Sequence, residues 1–219
     1  MQRYDARRLD EKLSIYRERD VAAAYDQRWS GRAGRARDLR KQRAIARALA
    51  ELQGVASVLD VPCGTGRMTG FVRGRELRYV GVDAATAMLE QAHGKHGDAR
   101  FVAGSLAQLP FADGSFDVVL CIRLMHLVRV ATLRAAFLRE ARRVARKAVI
   151  VDYRQNRALR VWLGTARAAV GWRKRAPGAL APSVIENEIA AAGLRVAKFI
   201  PVRRVPYLSD KVVVLALRE

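Results

Sequence analysis

The chain has 219 residues, about half of them apolar, with a formal net charge of +20 at pH 7 and two cysteines. That length and apolar content suit one α/β domain rather than a disordered chain, and Cys63 and Cys121 form neither a disulfide framework nor a CxxC metal site. No uncharged apolar run reaches the roughly 18 residues that span a bilayer, and the opening MQRYDARRLDEKL lacks the apolar core of a signal peptide, so the expected location is cytoplasmic.

Residues 1–53 read as an N-terminal helical cap. AAAYDQRW and ARDLRKQRAIARALAEL lack proline, Leu39, Ile45, Leu49 and Leu52 suggest an apolar stripe, and the paired glycines of SGRAGR (30–35) suggest a loop between two helices. From Val55 the rhythm changes to short apolar runs: SVLDV, RYVGVD, RFVAG, FDVVLCI and AVIVDY. Helical segments separate them, among them ATLRAAFLREARRVAR with Leu133, Phe137, Ala141 and Val144 at helical spacing. Continuous apolar strands alternating with helices predict a parallel sheet covered on both faces over a core of 54–153. Residues 154–182 form a basic insertion. PSVIENEIAAAG follows, with Ser183 and Glu186 as a candidate capping box and Gly193 as a candidate stop. GLRVAKFIPVRRV and DKVVVLALR then predict an antiparallel hairpin within 183–219 that closes the sheet.

The chemistry concentrates in VLDVPCGTGRMTG, Val58 to Gly70. An apolar strand ends in Asp60, and Gly64 and Gly66 let the following turn approach a ligand before a helix start offers free N–H groups. Asp83 ends the next strand, 23 residues on, at the place and spacing of a ribose-hydroxyl acceptor in nucleotide-binding α/β folds. Taken singly, Asp60 also reads as a strand-end acid capping local amides and Asp83 as the cap of the helix that follows.

With VLDVPCGTG, YVGVD and LPFADGSFDVV in line, the sequence resembles class I S-adenosylmethionine-dependent methyltransferases, above all the small-molecule group that includes ubiquinone and menaquinone biosynthesis enzymes. The resemblance implies a Rossmann-like, mostly parallel seven-stranded α/β sheet with an antiparallel C-terminal hairpin and helices on both faces. It implies S-adenosyl-L-methionine as cofactor and S-adenosyl-L-homocysteine as product. Asp60 would lie near the methionine amino group, Gly64 and Gly66 beneath the cofactor, and Asp83 at the ribose. Pro62, Thr65, Ala84, Gly104, Ser105, Leu106, Cys121 and Arg123 complete the implied cofactor-binding set. Two positions depart from the family pattern. Pro62 replaces the usual first glycine, and Ser105 stands where an aspartate commonly addresses the adenine amine.

On the acceptor side, CIRLMHLVR follows the fourth strand at the carboxyl edge where open α/β sheets bind ligands. His126 is the candidate general base or acceptor-orienting group, with a packing role as the alternative, and Arg123 reaches either the cofactor or an anionic acceptor, with a surface salt bridge as the alternative. No acids flank His126 as they do in metal-dependent quinone O-methyltransferases, so no metal is expected. Tyr25 and Trp29 resemble a helix that closes over the cofactor, with plain core packing as the alternative. His93 and His96 read as solvent-exposed turn residues. The insertion holds seven basic residues within 153–182, no acids, and Trp162 and Trp172. It reads as a lid over a small, lipid-like or anionic acceptor, as a contact with an anionic membrane surface, or as a solvated helix. The net charge also invites RNA methylation, and it is equally what a GC-rich genome writes as arginine. Against RNA, no Asn/Asp-Pro-Pro-aromatic run or Pro-Cys follows the fourth strand, and no RNA-binding module is visible. A non-catalytic anion- or membrane-binding protein on the same scaffold is the remaining reading.

Overall fold

The computed structural model describes residues 14–169, 172, 179–203 and 209–219. A 3-10 turn at Ile15–Arg17 leads into helices α1 (Arg19–Tyr25), α2 (Gln27–Ser30) and α3 (Arg32–Leu49). Then come β1 (Ser57–Asp60), α4 (Thr69–Arg73), β2 (Arg78–Asp83), α5 (Thr86–Lys95), β3 (Arg100–Ala103) and β4 (Phe116–Cys121). The chain continues through α6 (Ala131–Val144), β5 (Ala145–Arg154), α7 (Leu159–Ala169), α8 (Pro182–Ala190), β6 (Leu194–Pro201) and β7 (Lys211–Arg218). The sheet order is β3-β2-β1-β4-β5-β7-β6. The first five strands run parallel, and β7 inserts antiparallel to both β5 and β6.

Every residue of β1 and β4 is buried, as strands covered on both faces require. Alternate side chains feed two cores. Leu59, Val119, Val149 and Val214 meet Phe137 and Leu138 of α6 and Ile185 and Ile189 of α8 on one face. Val58, Val118, Ile150 and Val213 meet Ala44, Ile45 and Ala48 of α3 on the other. A smaller cluster of Ala22, Ala85, Ala87 and Met88, with Tyr16 and Tyr25 against it, docks the N-terminal turn and α1 onto α5.

Three local expectations change. The 30–35 segment is not a loop: only Gly31 interrupts the helices, and Gly34 lies inside α3, where a Cβ would come 2.5 Å from the Trp29 Cα. Leu39 is 46% exposed, and the buried stripe of α3 instead includes Lys41, whose ammonium has a buried partner. Ser183 caps nothing; α8 starts one residue earlier with Pro182 in its first turn, where a missing N–H costs nothing. Gly193 does sit in the left-handed region at φ +74, two residues beyond the C-cap Ala191.

Candidate active site

The parallel strands end together on one edge of the sheet, and a cavity of ≈ 250 Å³ opens there. Asp60, Pro62 and Gly64 line it from the end of β1, Asp83 and Ala84 from the end of β2, and Gly104, Ser105 and Leu106 from the turn after β3. Arg123 closes it after β4, and Tyr16, Tyr25, Met88, Leu124, Leu127 and Phe137 supply apolar and aromatic wall. Sequence reasoning named the polar floor and Tyr25, and missed the rest of that wall. Tyr16, Met88 and Phe137 come from separate helical elements and carry no motif of their own, while Leu124 and Leu127 lie in the turn after β4 beside Arg123.

The floor is held by hydrogen bonds between strand ends. The Gly64 N–H donates to Asp83 Oδ2 at 2.8 Å, and the Ala85 N–H donates to Asp83 Oδ1 at 2.9 Å. Asp83 therefore ties the glycine turn to β2 and caps the entry to α5 at once. Burial raises its carboxyl above the ordinary value, while the N–H groups of Ala85 and Gly64 pull it back. At Gly64, φ is +55, and a Cβ would meet nothing within 4 Å, so the bare backbone faces open cavity. Asp60 is 1% exposed and accepts a bond from the Tyr79 hydroxyl at 3.0 Å. Burial pushes its carboxyl up to about 7, against the opposing pull of Tyr79 and Arg123. Ser105 Oγ accepts the Ala107 N–H at 3.2 Å, which fixes the turn beneath Leu106.

Four residues of the implied site lie outside this lining. Thr65 is fully buried and donates to Asp26 Oδ1 at 2.8 Å, fastening the glycine turn to the N-terminal helices. Gly66 has φ +73, and a Cβ would press on His96, Thr69 and Ala92 at 3.0–3.3 Å, so what demands glycine there is packing of the turn on α5. Cys121 is buried in the core against α6, its thiol pushed well above the ordinary value by burial. His126 faces a second cavity.

That second cavity, of ≈ 190 Å³, shares Tyr16, Tyr25, Arg123 and Leu127 with the first. Trp29, Lys41, His126, Asp152, Tyr153, Arg154 and Lys211 also line it. Asp152, 4% exposed, accepts the Lys41 ammonium and, at 2.7 Å, the Arg123 N–H. Burial pushes the Asp152 carboxyl up, but Lys41, His126 and these bonds outweigh it and leave it below the ordinary value. Burial holds the His126 imidazole below its ordinary 6.5; Asp152 opposes this, and Lys211, Lys41 and Arg154 reinforce it. Arg123 takes φ +69, an uncommon conformation for a residue with a side chain. There its guanidinium reaches Asp38 Oδ1 at 2.7 Å and lies 4.3 Å from the Trp29 ring centre. Arg67 covers the ring at 4.2 Å and bonds the same Asp38 oxygen at 2.9 Å.

Among the described residues no three His, Cys, Asp or Glu side chains gather as a metal site. His93 lies in the last turn of α5 rather than in a loop and packs edge-on to Phe101, and His96 is the half-buried cap of that helix.

The strand order, with its antiparallel insertion of β7, and the acid-glycine cleft between β1 and β2 define the fold of class I S-adenosylmethionine-dependent methyltransferases. Residues 58–148 match the family model described as a methyltransferase domain. The chain is 40% identical over 62 residues to a demethylmenaquinone methyltransferase of Beutenbergia cavernae, covering 28% of this chain and 26% of that protein. It is 34% identical over 113 residues to a malonyl-[acyl-carrier protein] O-methyltransferase of Pseudescherichia vulneris, covering 48% of this chain and 42% of that one. The chain thus spans less than half the length of these curated relatives. Magnesium protoporphyrin IX methyltransferase from Synechocystis, solved with bound SAH, shares the fold at a TM-score of 0.65. Its identity to this chain is 16%, over 86% of this chain and 88% of that one.

Proposed function

We propose that the protein transfers the methyl group of S-adenosylmethionine to a small acceptor and releases S-adenosylhomocysteine. One observation carries this reading: the acid-glycine cleft and the compartment holding His126 share a wall of Tyr16, Tyr25, Arg123 and Leu127. A two-substrate displacement needs two adjoining chambers that bring donor and acceptor into line, and such alignment is worth about 7–11 kcal/mol of barrier. Asp83 keeps spare lone pairs for ribose hydroxyls after its two backbone bonds. Asp60 would face the α-ammonium, whose charge favours the ionised carboxylate. Gly64 leaves its side of the turn open, and Ser105 offers a hydroxyl toward the adenine. Bound S-adenosylmethionine supplies an already activated methyl group, so the protein's own work is positioning and proton removal. His126, held below its ordinary value, is neutral at pH 7 and able to take a proton from an acceptor oxygen or nitrogen.

The test is ligand-dependent stability. S-adenosylhomocysteine at about 100 times its dissociation constant should stabilise the fold by about 2.7 kcal/mol, and NADH and ATP by much less. A larger effect of NADH overturns the reading. Incubation with S-adenosylmethionine and a metabolite extract, followed by mass spectrometry, then identifies the acceptor by its gain of one methylene.

We also propose that α7 rests on an anionic membrane face, on the cytoplasmic side. It presents Leu159, Trp162 and Leu163 on one exposed face, 52%, 65% and 39% accessible, and Trp172 beyond it is 82% accessible. Apolar and aromatic side chains beside arginines suit the interface of such a surface. No described helix is long and apolar enough to cross a membrane. Arg173, Lys174 and Arg175, which continue the charge, lie outside the described residues. At about 1 kcal/mol per basic group, replacing these three by alanine should weaken binding to anionic vesicles about a hundredfold. Saturable binding to structured RNA with no preference for vesicles would overturn this in favour of an RNA substrate.

A further inference from the structure

Arg28, Lys41, Arg123, Arg154 and Lys211 line the second cavity, and Asp152 is the one acid of that lining among the described residues. Three of the five cations are matched. Lys41 pairs with Asp152, Arg123 bonds Asp38 at 2.7 Å, and Arg154 bonds Asp210 at 2.7 Å. Among the described residues Lys211 forms no ion pair within 4 Å, and the Arg28 guanidinium meets only the Tyr25 ring, at 5.8 Å. The sheet register places Lys211 directly opposite Arg154 on the neighbouring strand. Like charges at such a cross-strand position are destabilising. The walls beside it are Tyr16, Tyr25, Leu127 and Tyr153, whose apolar bulk strengthens any charge interaction inside. Partial burial and the nearby Lys41 hold the Lys211 ammonium below its ordinary value, and the attraction of Asp152 and Asp210 only partly offsets them.

We propose that the second cavity is an anion subsite: Lys211, with Arg28 at the same wall, seats a carboxylate or phosphate group of the methyl acceptor beside His126. The acceptor is therefore a small anion, and its acidic group is a recognition handle that leaves a separate oxygen or nitrogen to face the imidazole. This rests on the methyltransferase reading for the word acceptor; the anion subsite itself does not.

The test uses the full chain saturated with S-adenosylhomocysteine and titrated calorimetrically at constant ionic strength with inorganic phosphate and, separately, with succinate. Saturable millimolar binding of at least one anion is expected, and the one preferred tells phosphate from carboxylate. Lys211→Gln should weaken that binding at least tenfold, Lys211→Arg should restore most of it, and S-adenosylhomocysteine affinity should stay within twofold in both. Lys198→Gln, on the exposed face of β6 and paired with Glu51 at 2.6 Å, is the control for the general field of a basic protein. Binding of neither anion, equal binding in Lys211→Gln, or an equal loss in Lys198→Gln overturns the proposal. Failure of S-adenosylhomocysteine to bind the wild type, with anion binding still dependent on Lys211, would sink the donor assignment and leave the subsite standing.

Discussion

The first cavity takes its polar floor from strand ends between residues 60 and 105, with Asp83 held by backbone N–H donors; the second collects Lys41, Arg123, His126, Asp152, Arg154 and Lys211 from four separate segments, with Lys41, Arg123 and Arg154 held by side-chain ion pairs. Backbone donors hold a floor of fixed shape, as a shared cofactor requires. Side chains drawn from separate segments can be exchanged together with their partners without rebuilding a strand, so on the proposed reading acceptor preference can change while the donor cleft stays as it is.

The largest expected effect breaks the second cavity at its root. Asp152→Ala leaves the Lys41 ammonium buried and unpaired, which should cost about 3–5 kcal/mol in urea unfolding. A loss under 1 kcal/mol would mean that water reaches Lys41 freely. The same pair gives a pH signature. Because the Asp152 carboxyl sits below its ordinary 3.8, its stabilisation is present above that value and is lost as pH falls through the folded value.

His126→Ala comes next, with turnover on the identified acceptor expected to fall about 10²-fold at unchanged S-adenosylhomocysteine affinity. Wild-type activity should decline as pH drops through a value below 6.5, the direction in which burial moves the imidazole. Equal losses of turnover and cofactor affinity would make His126 a packing residue of the shared wall.

Asp83→Ala tests the first cavity. A bond to a charged acceptor contributes about 1.5–3 kcal/mol, so S-adenosylhomocysteine should bind roughly ten to a hundred times more weakly by calorimetry. Wild-type affinity would show that Asp83 serves only Gly64 and Ala85.

The smallest effect concerns Asp60. With its carboxyl raised to about 7, the stability from its bound proton is fully present below the ordinary 3.8 and is lost as pH rises through about 7. If the ligand ammonium takes over as counter-charge, binding near pH 6 should release a proton, visible as a heat that changes with buffer ionisation enthalpy. Asp60→Asn should remove that dependence, and a buffer-independent heat in the wild type would place the ammonium elsewhere.

Legibility in the sequence follows the same division. The β1 turn and Asp83 could be read because their partners lie close by and their strands are continuous apolar runs. Lys41 and Asp152 could not, since their contact spans 111 positions and each looked ordinary alone: a lysine in an arginine-rich helix, an acid at a strand end. Thr65, Gly66 and Cys121 sit where the family pattern points, yet the structure turns each toward Asp26, α5 or the core. A pattern fixes where the backbone goes more firmly than where each side chain looks. The exposed Leu39 and the absent Ser183 cap repeat that lesson on helices.

Trp29 carries one more consequence. The chain has three tryptophans; Trp162 and Trp172 stand in solvent, while the third has the Arg67 and Arg123 guanidiniums 4.2 and 4.3 Å from its ring centre and its buried indole N–H without a partner among the described residues. Iodide added to the solution should extinguish the emission of the first two and leave a blue-shifted remainder from Trp29. Because Arg123 forms wall in both chambers, that residual light is an internal lamp, whose colour and intensity should change with the filling of either chamber and with no label attached.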